Sequence, residues 1–310
     1  MANEIFLVTD FTIATLQVLC STGNGFIIFL FFRFKILRNN QHLRLVFFMA
    51  LTDFLLAVTA IPYISFLIHN WSPIAINYEP TFLMIASTPL PIQLKISLVL
   101  TIAIATDRNL GLYYPVLFRR INHSMYANIS FLLAILTAAF DVTLEFMFSP
   151  IIPSPGCAAI GCFVSKKFRD YWGNSNLFLG IFVIVLTCTI LHGLSKVAST
   201  TNQRSDRDAK RFANANRTIA GILLSSLFFV TVPSGGVGLV ELLGYSIFRI
   251  VGPFYIVGIL ASGFCNSIIF VTLNDDARRI VKARGKVPVS SVVAITVTDY
   301  AKRRTTVLTV

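Results

Sequence analysis

Seven apolar stretches of roughly 20 residues, each enough for a helix to cross the hydrocarbon of a bilayer, divide the chain and constrain its fold more than any other feature. They run over Phe11–Phe32, Leu45–Ile68, Thr81–Tyr113, Tyr126–Phe148, Leu177–Leu194, Ile219–Leu243 and Ile250–Leu273. Inside hydrocarbon every backbone N–H and C=O must find its partner within the segment, so each run reads as a helix. The chain is 55% hydrophobic with 28 Phe and only 13% charged residues, too little polar surface to coat a soluble body of its size. A net charge of +12 would point to nucleic acid if it formed a patch on a soluble domain. Here the basic residues fall between the apolar runs, so the partner they imply is the lipid bilayer and no nucleic acid is expected.

Orientation follows from where those charges fall. Placing alternate loops on the inner side puts 21 of the 26 Lys and Arg there, leaving only Lys95, Lys166, Lys167, Arg169 and Arg249 elsewhere. The positive-inside rule then sets the N-terminus outside and the C-terminus in the cytoplasm. The expected architecture is an all-α membrane protein: a seven-transmembrane helix bundle over residues 11–273, a short extracellular N-terminus over 1–10 without the basic start of a cleaved signal, and a cytoplasmic segment over 274–310. That last segment opens with a short amphipathic helix, Asp276 to Lys286, suited to an anionic leaflet. Beyond it, Ser290, Ser291, Thr296, Thr298, Thr305 and Thr306 lie in a tail of disordered character, open to kinases. The outer loop Ser149–Asn174 is rich in Pro and Gly, and the inner stretch Lys196–Arg217 reads as a solvated loop without apolar period.

Charges and polar groups inside the runs are the functional candidates, since each costs several kcal/mol unless it is paired or reaches water. Asp107 and Arg108 close the third run at its inner mouth, with Pro115 seven residues past the arginine. Adjacent charges neutralise one another, and when they part the guanidinium offers a fork of donors to whatever enters from the cytoplasm. The plainer reading is an arginine that anchors the helix end by snorkelling. Asn24 sits between Gly23 and Gly25 in the first run and Asp53 lies about three turns into the second, each needing a partner on another helix.

Further out, Lys95 stands 13 residues before Arg108, about 20 Å along a helix and too deep to snorkel inward. Its counter-ion is either an internal carboxylate among Asp141, Glu145 and Glu241, all in the outer halves of their runs, or the carboxylate of an acidic ligand. Pro233 beside Gly235 and Gly236 marks a bend or hinge in the sixth run. Of five cysteines, only Cys157 and Cys162 fall outside the apolar runs; five residues apart in CAAIGC, they close a small ring when oxidised. The four histidines are scattered without ligand spacing, and there is no phosphate loop or nucleophile elbow, so neither enzyme activity nor a cofactor or metal is expected.

Asn24, Leu51-Thr-Asp53, Asp107-Arg108 with Pro115, Pro233 and Asn266-Ser-Ile-Ile-Phe270 occur in the order and depth seen in rhodopsin-like G-protein-coupled receptors. The chain resembles that superfamily across all seven runs. It departs from it in having no cysteine opening the third run, no tryptophan in the fourth, Thr231 in place of the sixth-run tryptophan, and Ser267 and Phe270 in place of Pro and Tyr. With FFMALTDFLLA, TDRNLGLYYP and CAAIGCF, this divergent set is similar to the nematode serpentine chemoreceptors of the Srbc class.

The resemblance implies a chemosensory receptor, placed at the plasma membrane in the sensory cilium of a neuron. It would bind a small-molecule cue in the outer half of the bundle and activate a heterotrimeric G protein through Arg108, with arrestin and kinases acting on the tail. It further implies an inter-helix polar network of Asn24, Asp53 and Asn266. A neuropeptide-type receptor of the same fold is the near alternative. A transporter or channel is the alternative from another class, although the chain shows no internal repeat or paired broken helices.

Overall fold

A computed structural model describes residues 2–74, 76–201, 207–242 and 253–284, with side chains left out at 2–3, 196–201, 207–215, 238, 241–242 and 284. Seven of its helices are long and apolar enough to cross a membrane: Glu4–Arg33, Gln41–His69, Pro80–Tyr113, His123–Phe148, Lys166–Ser195, Asn216–Val237 and Phe254–Leu273. No strand occurs among the described residues. The chain is thus a seven-helix bundle, numbered below as spans one to seven. Ser290, Ser291, Thr296, Thr298, Thr305 and Thr306 of the tail lie outside the described residues.

The spans bury charged and amide side chains and leave many large apolar ones on the outer surface of the bundle. In span one Phe6, Asp10, Ile13, Gln17, Cys20, Asn24 and Ile27 are buried and spaced alternately four and three apart, so they form one stripe, which Leu30 and Phe31 continue. Asp10, Gln17 and Asn24 recur on it every seven residues, whereas Phe11, Phe26, Phe29 and Phe32 are exposed on the other face. That stripe continues above Phe11, and the helix accordingly begins at Ala2 rather than after a ten-residue lead.

Span one packs on spans two and seven, span three on four and five, and span five on six. Span three is the axis, with 72% of its apolar window buried against 22% for span four. Its Gln93, Lys95, Ser97, Thr101, Asp107 and Arg108 are accordingly buried inside the bundle. Its helix is interrupted at Thr88, because Pro89 and Pro91 supply no backbone N–H to the preceding turn. The outer piece, Pro80–Ser87, is capped by Glu79, whose carboxylate accepts from the Phe82 and Thr81 backbone N–H groups. The Phe82 bond above all holds the Glu79 carboxyl below its ordinary range.

Two loop boundaries differ from the sequence reading. Span five starts at Lys166, so the outer loop ends at Ser165 and not at Asn174. Ser165 caps the helix by accepting from Phe168 N–H at 3.2 Å, and Phe168, Tyr171 and Trp172 sit on the outer core. The inner stretch 196–217 is also largely helical: span five's helix runs on to Thr201 and the next helix begins at Arg207. A charged helix that projects beyond the bilayer needs no apolar stripe, which is why hydropathy alone reads it as a loop. The amphipathic helix after span seven spans Asp275–Arg284, capped by Asn274 Oδ1 accepting from Ala277 N–H at 3.0 Å.

The core falls into two clusters, an outer one around Tyr63, Leu83, Leu90 and Ile256 and an inner one around Leu30, Leu100, Leu223 and Phe270. Asn24, Asp53 and Asn266 fall between them on spans one, two and seven.

Candidate functional site

At the inner mouth of span three the carboxylate of Asp107 is shared. Its Oδ2 lies 3.2 Å from Arg108 Nη2 and its Oδ1 3.0 Å from His123 Nδ1, on the first turn of span four. Arg108 Nη2 also donates to the backbone carbonyl of His42, at 3.2 Å, in the first turn of span two. Arg108 is 5% exposed and its Nε has no acceptor, so the buried guanidinium still has donor capacity. The His42, Phe118 and His123 rings pack together beside it, with centroids 4.2–5.4 Å apart. A cavity of about 480 Å³ opens here, lined among others by His42, Arg108, Ile219, Phe270, Asn274 and Arg279. Pro115 opens the short helix Pro115–Arg120, whose Phe118 packs beneath Gly111. The sequence reading found no arrangement among the histidines; folding brings His42 and His123, 81 residues apart, onto Asp107.

Midway up the bundle Asp53 accepts from Gln93 Nε2 at 2.6 Å, a bond from span two to span three. Gln93 also reaches Thr52 Oγ1 at 3.3 Å. Asn24 donates to the Gly263 carbonyl at 3.1 Å, and Asn266 Nδ2 approaches Met49 Sδ at 3.7 Å. Asn24 and Asp53 meet at Gly263, where an added Cβ would stand 2.8 Å from Cys20 Sγ and 3.0 Å from the Asp53 carboxylate carbon. Gln93 was missed in the sequence because a glutamine in a long apolar run carries no motif. Its depth relative to Asp53 was the available signal.

In the outer half Lys95 donates to Ser175 Oγ and Asn176 Oδ1, both at 2.8 Å, and its ammonium lies 3.1 Å from Asp141 Oδ2. The Asp141 contact is an ion pair off the hydrogen-bond direction. Tyr171 donates its hydroxyl to Asp141 Oδ1 at 2.8 Å, tying span five to the pair. Glu145, one turn beyond Asp141, is 2% exposed with no partner for Oε2. It borders a cavity of about 30 Å³ with Arg169, Trp172 and Tyr255. Glu241 lies in the last turn of a helix over Val232–Leu242, but its side chain is outside those described.

A family profile described as serpentine type 7TM GPCR chemoreceptor Srbc matches residues 1–275. The chain belongs to that family. Among curated proteins none matches it. As an Srbc receptor it is a multi-pass membrane protein of a non-enzymatic family, with a small-molecule ligand and a G protein as the partners such receptors have.

Two features of this Srbc receptor shape its outer half. Span six turns as a π-helix over Leu227–Thr231 immediately before Pro233. A proline cannot bond the carbonyl four residues back, here that of Phe229. That carbonyl faces span seven, where a Cβ on Gly258 would stand 2.3 Å from its oxygen, so glycine makes the approach possible. The outer loop bonds Cys157 to Cys162, with Cα atoms 6.3 Å apart. It is no loose cover: Cys157, Ala158, Ala159, Ile160 and Phe163 are buried in the outer core, and Ile160 N–H donates to Tyr63 Oη at 3.3 Å. Arg169 clamps the loop through two hydrogen bonds of 3.0 Å to the Gly161 and Val164 carbonyls.

Proposed function

We propose that this receptor binds a small-molecule cue between the outer halves of spans three to seven and answers by releasing Arg108 to a heterotrimeric G protein at the inner mouth. The observation that carries the reading is Arg108 itself. A buried guanidinium, neutralised by its neighbour Asp107 and with an unspent donor, lines a cavity of about 480 Å³. A partner that supplied carbonyls or a carboxylate there would compete with Asp107 and the His42 carbonyl for the same fork of donors.

Two cavities, of about 30 Å³ and 10 Å³, lie among the described residues of the outer half, each little more than space for a water, so a cue that binds at either must select a more open arrangement. A loop buried to this extent favours a small cue over a peptide. Lys95 already has two neutral acceptors and Asp141, so an acidic ligand would have to displace an internal carboxylate. Glu145 Oε2 is buried without a partner beside one of these cavities, which favours a cue that carries a hydrogen-bond donor or a cation. A sensory cilium is the setting in which such a receptor would act. The test is a small-molecule screen read by G-protein activation, with Arg108→Ala beside the natural chain at matched surface density. Loss of every response in Arg108→Ala supports the proposal, and full signalling from it overturns the role of Arg108.

A further inference from the structure

The shared carboxylate at the inner mouth has a second use. We propose that His42, Asp107 and His123 form a site for a zinc-class divalent ion, open to the cytoplasmic side and drawing on the same Asp107 that holds Arg108. One donor atom from each of the three residues lies within 4.8 Å of the other two. Two imidazoles and a carboxylate are a donor set that suits zinc, and three protein ligands with an open fourth position is the form of a site that also takes water or an exogenous group.

Three observations support an ion rather than a chance cluster. First, His123 Nδ1 and Asp107 Oδ1 stand 3.0 Å apart. Bonds of about 2.0–2.1 Å set the edges of a tetrahedral shell at about 3.3 Å, so this edge is already formed. Second, both ligands are held from behind. His123 Nε2 lies 3.1 Å from the Phe118 carbonyl, and Asp107 Oδ2 lies 3.2 Å from Arg108 Nη2. A ring nitrogen on a carbonyl and a carboxylate oxygen on a donor are the supports that orient zinc ligands. Third, His123 Nε2 faces the Phe118 carbonyl and Nδ1 faces Asp107 Oδ1, so when the single proton of a neutral ring is on Nε2 the Nδ1 lone pair meets another acceptor. Two acceptors at that distance require a cation between them, either a proton or a metal.

The remaining ligand, His42, is exposed, and its ring borders both the His123 ring and the cavity of about 480 Å³. Rotation of that ring closes the third edge, and the cavity gives an ion its path. Where Nδ1 carries a proton, the metal takes its place and the proton leaves to solvent. The ion would draw the charge of Oδ1 to itself, leaving Arg108 with a weaker counter-ion. Its pull on His42 would act on the residue whose carbonyl is the other acceptor of Arg108.

The inference stands on coordination geometry and does not depend on a ligand or on signalling. Its test is Zn²⁺ binding to the purified full chain in detergent, followed by calorimetry, with Co²⁺ absorption to report a tetrahedral N,O shell. The natural chain should bind one ion per chain. His42→Ala should weaken binding about 10-fold or more, while His192→Ala, at an exposed position on span five, should leave it unchanged. His123→Ala should abolish it, and because His42 is exposed, His42→Ala keeps the test decisive should His123→Ala unfold. Equal affinity in all four chains, or no saturable binding by the natural one, would overturn the site and leave a proton between His123 and Asp107.

Discussion

Replacing Asp141 by Asn tests the outer ion pair with a magnitude the structure supplies. Lys95 and Asp141 have side chains only 3% and 2% exposed, so removing one charge strands the other in the buried interior. Breaking such a pair costs about 3–5 kcal/mol, whereas replacing both charges by neutral groups of similar volume is often neutral or stabilising. Asn keeps an acceptor for Tyr171 and much of the volume of Asp, so the loss is chiefly that of the charge. At about 2 °C per kcal/mol for a large domain, Asp141→Asn should lower the midpoint of thermal unfolding in detergent by about 6–10 °C. Lys95→Met should cost a similar amount. The double variant should recover most of the loss, giving a coupling of about 2 kcal/mol or more. Additive losses, with the double variant as unstable as the sum of the singles, would refute the claim that the two charges exist for one another. It would return Lys95 to the ligand site.

Gly258→Ala places a Cβ 2.3 Å from the Phe229 carbonyl oxygen and should destabilise by about 1–3 kcal/mol, read as a lower melting temperature; an unchanged melt would mean the π turn yields freely. Gln93→Leu removes the 2.6 Å bond to buried Asp53 and should cost about 1.5–3 kcal/mol, and adding Asp53→Asn to Gln93→Leu should restore part of it. Alkylation and peptide mass spectrometry should find Cys157 and Cys162 joined and Cys188 free; Cys162→Ser should cost about 2 kcal/mol, the closure entropy of so short a ring, and a free Cys157 thiol in the native chain would reject the bond.

The bundle was legible because lipid enforces a single rule: long apolar runs separated by basic loops define the spans and their orientation. Individual buried charges were legible for the same reason, since Lys95, Asp107 and Arg108 stand out against hydrocarbon. Partnerships were less so. Asp141 was one of three carboxylates at suitable depth for Lys95, and choosing among them requires helix rotation, which the bundle's packing sets. His42 and His123 were unremarkable in sequence because each is an ordinary polar residue at a loop boundary; the apposition of the first inner loop with the start of span four makes them a pair. The helix over 166–176 was hidden by its charges, although Phe168, Tyr171 and Trp172 show the helical spacing.

The central claim is that Asp107 restrains Arg108 until activation frees it, and Asp107→Asn tests this most directly. Asn keeps an oxygen in place but removes the charge 3.2 Å from Arg108 Nη2, leaving the His42 carbonyl as its other acceptor. The measurement is basal nucleotide exchange on a G protein in reconstituted membranes, normalised to receptor density and made without any added cue. The account predicts a basal rate above that of the natural chain. An unchanged or lower rate from a folded Asp107→Asn receptor would contradict it and leave Arg108 as an anchor of the helix end.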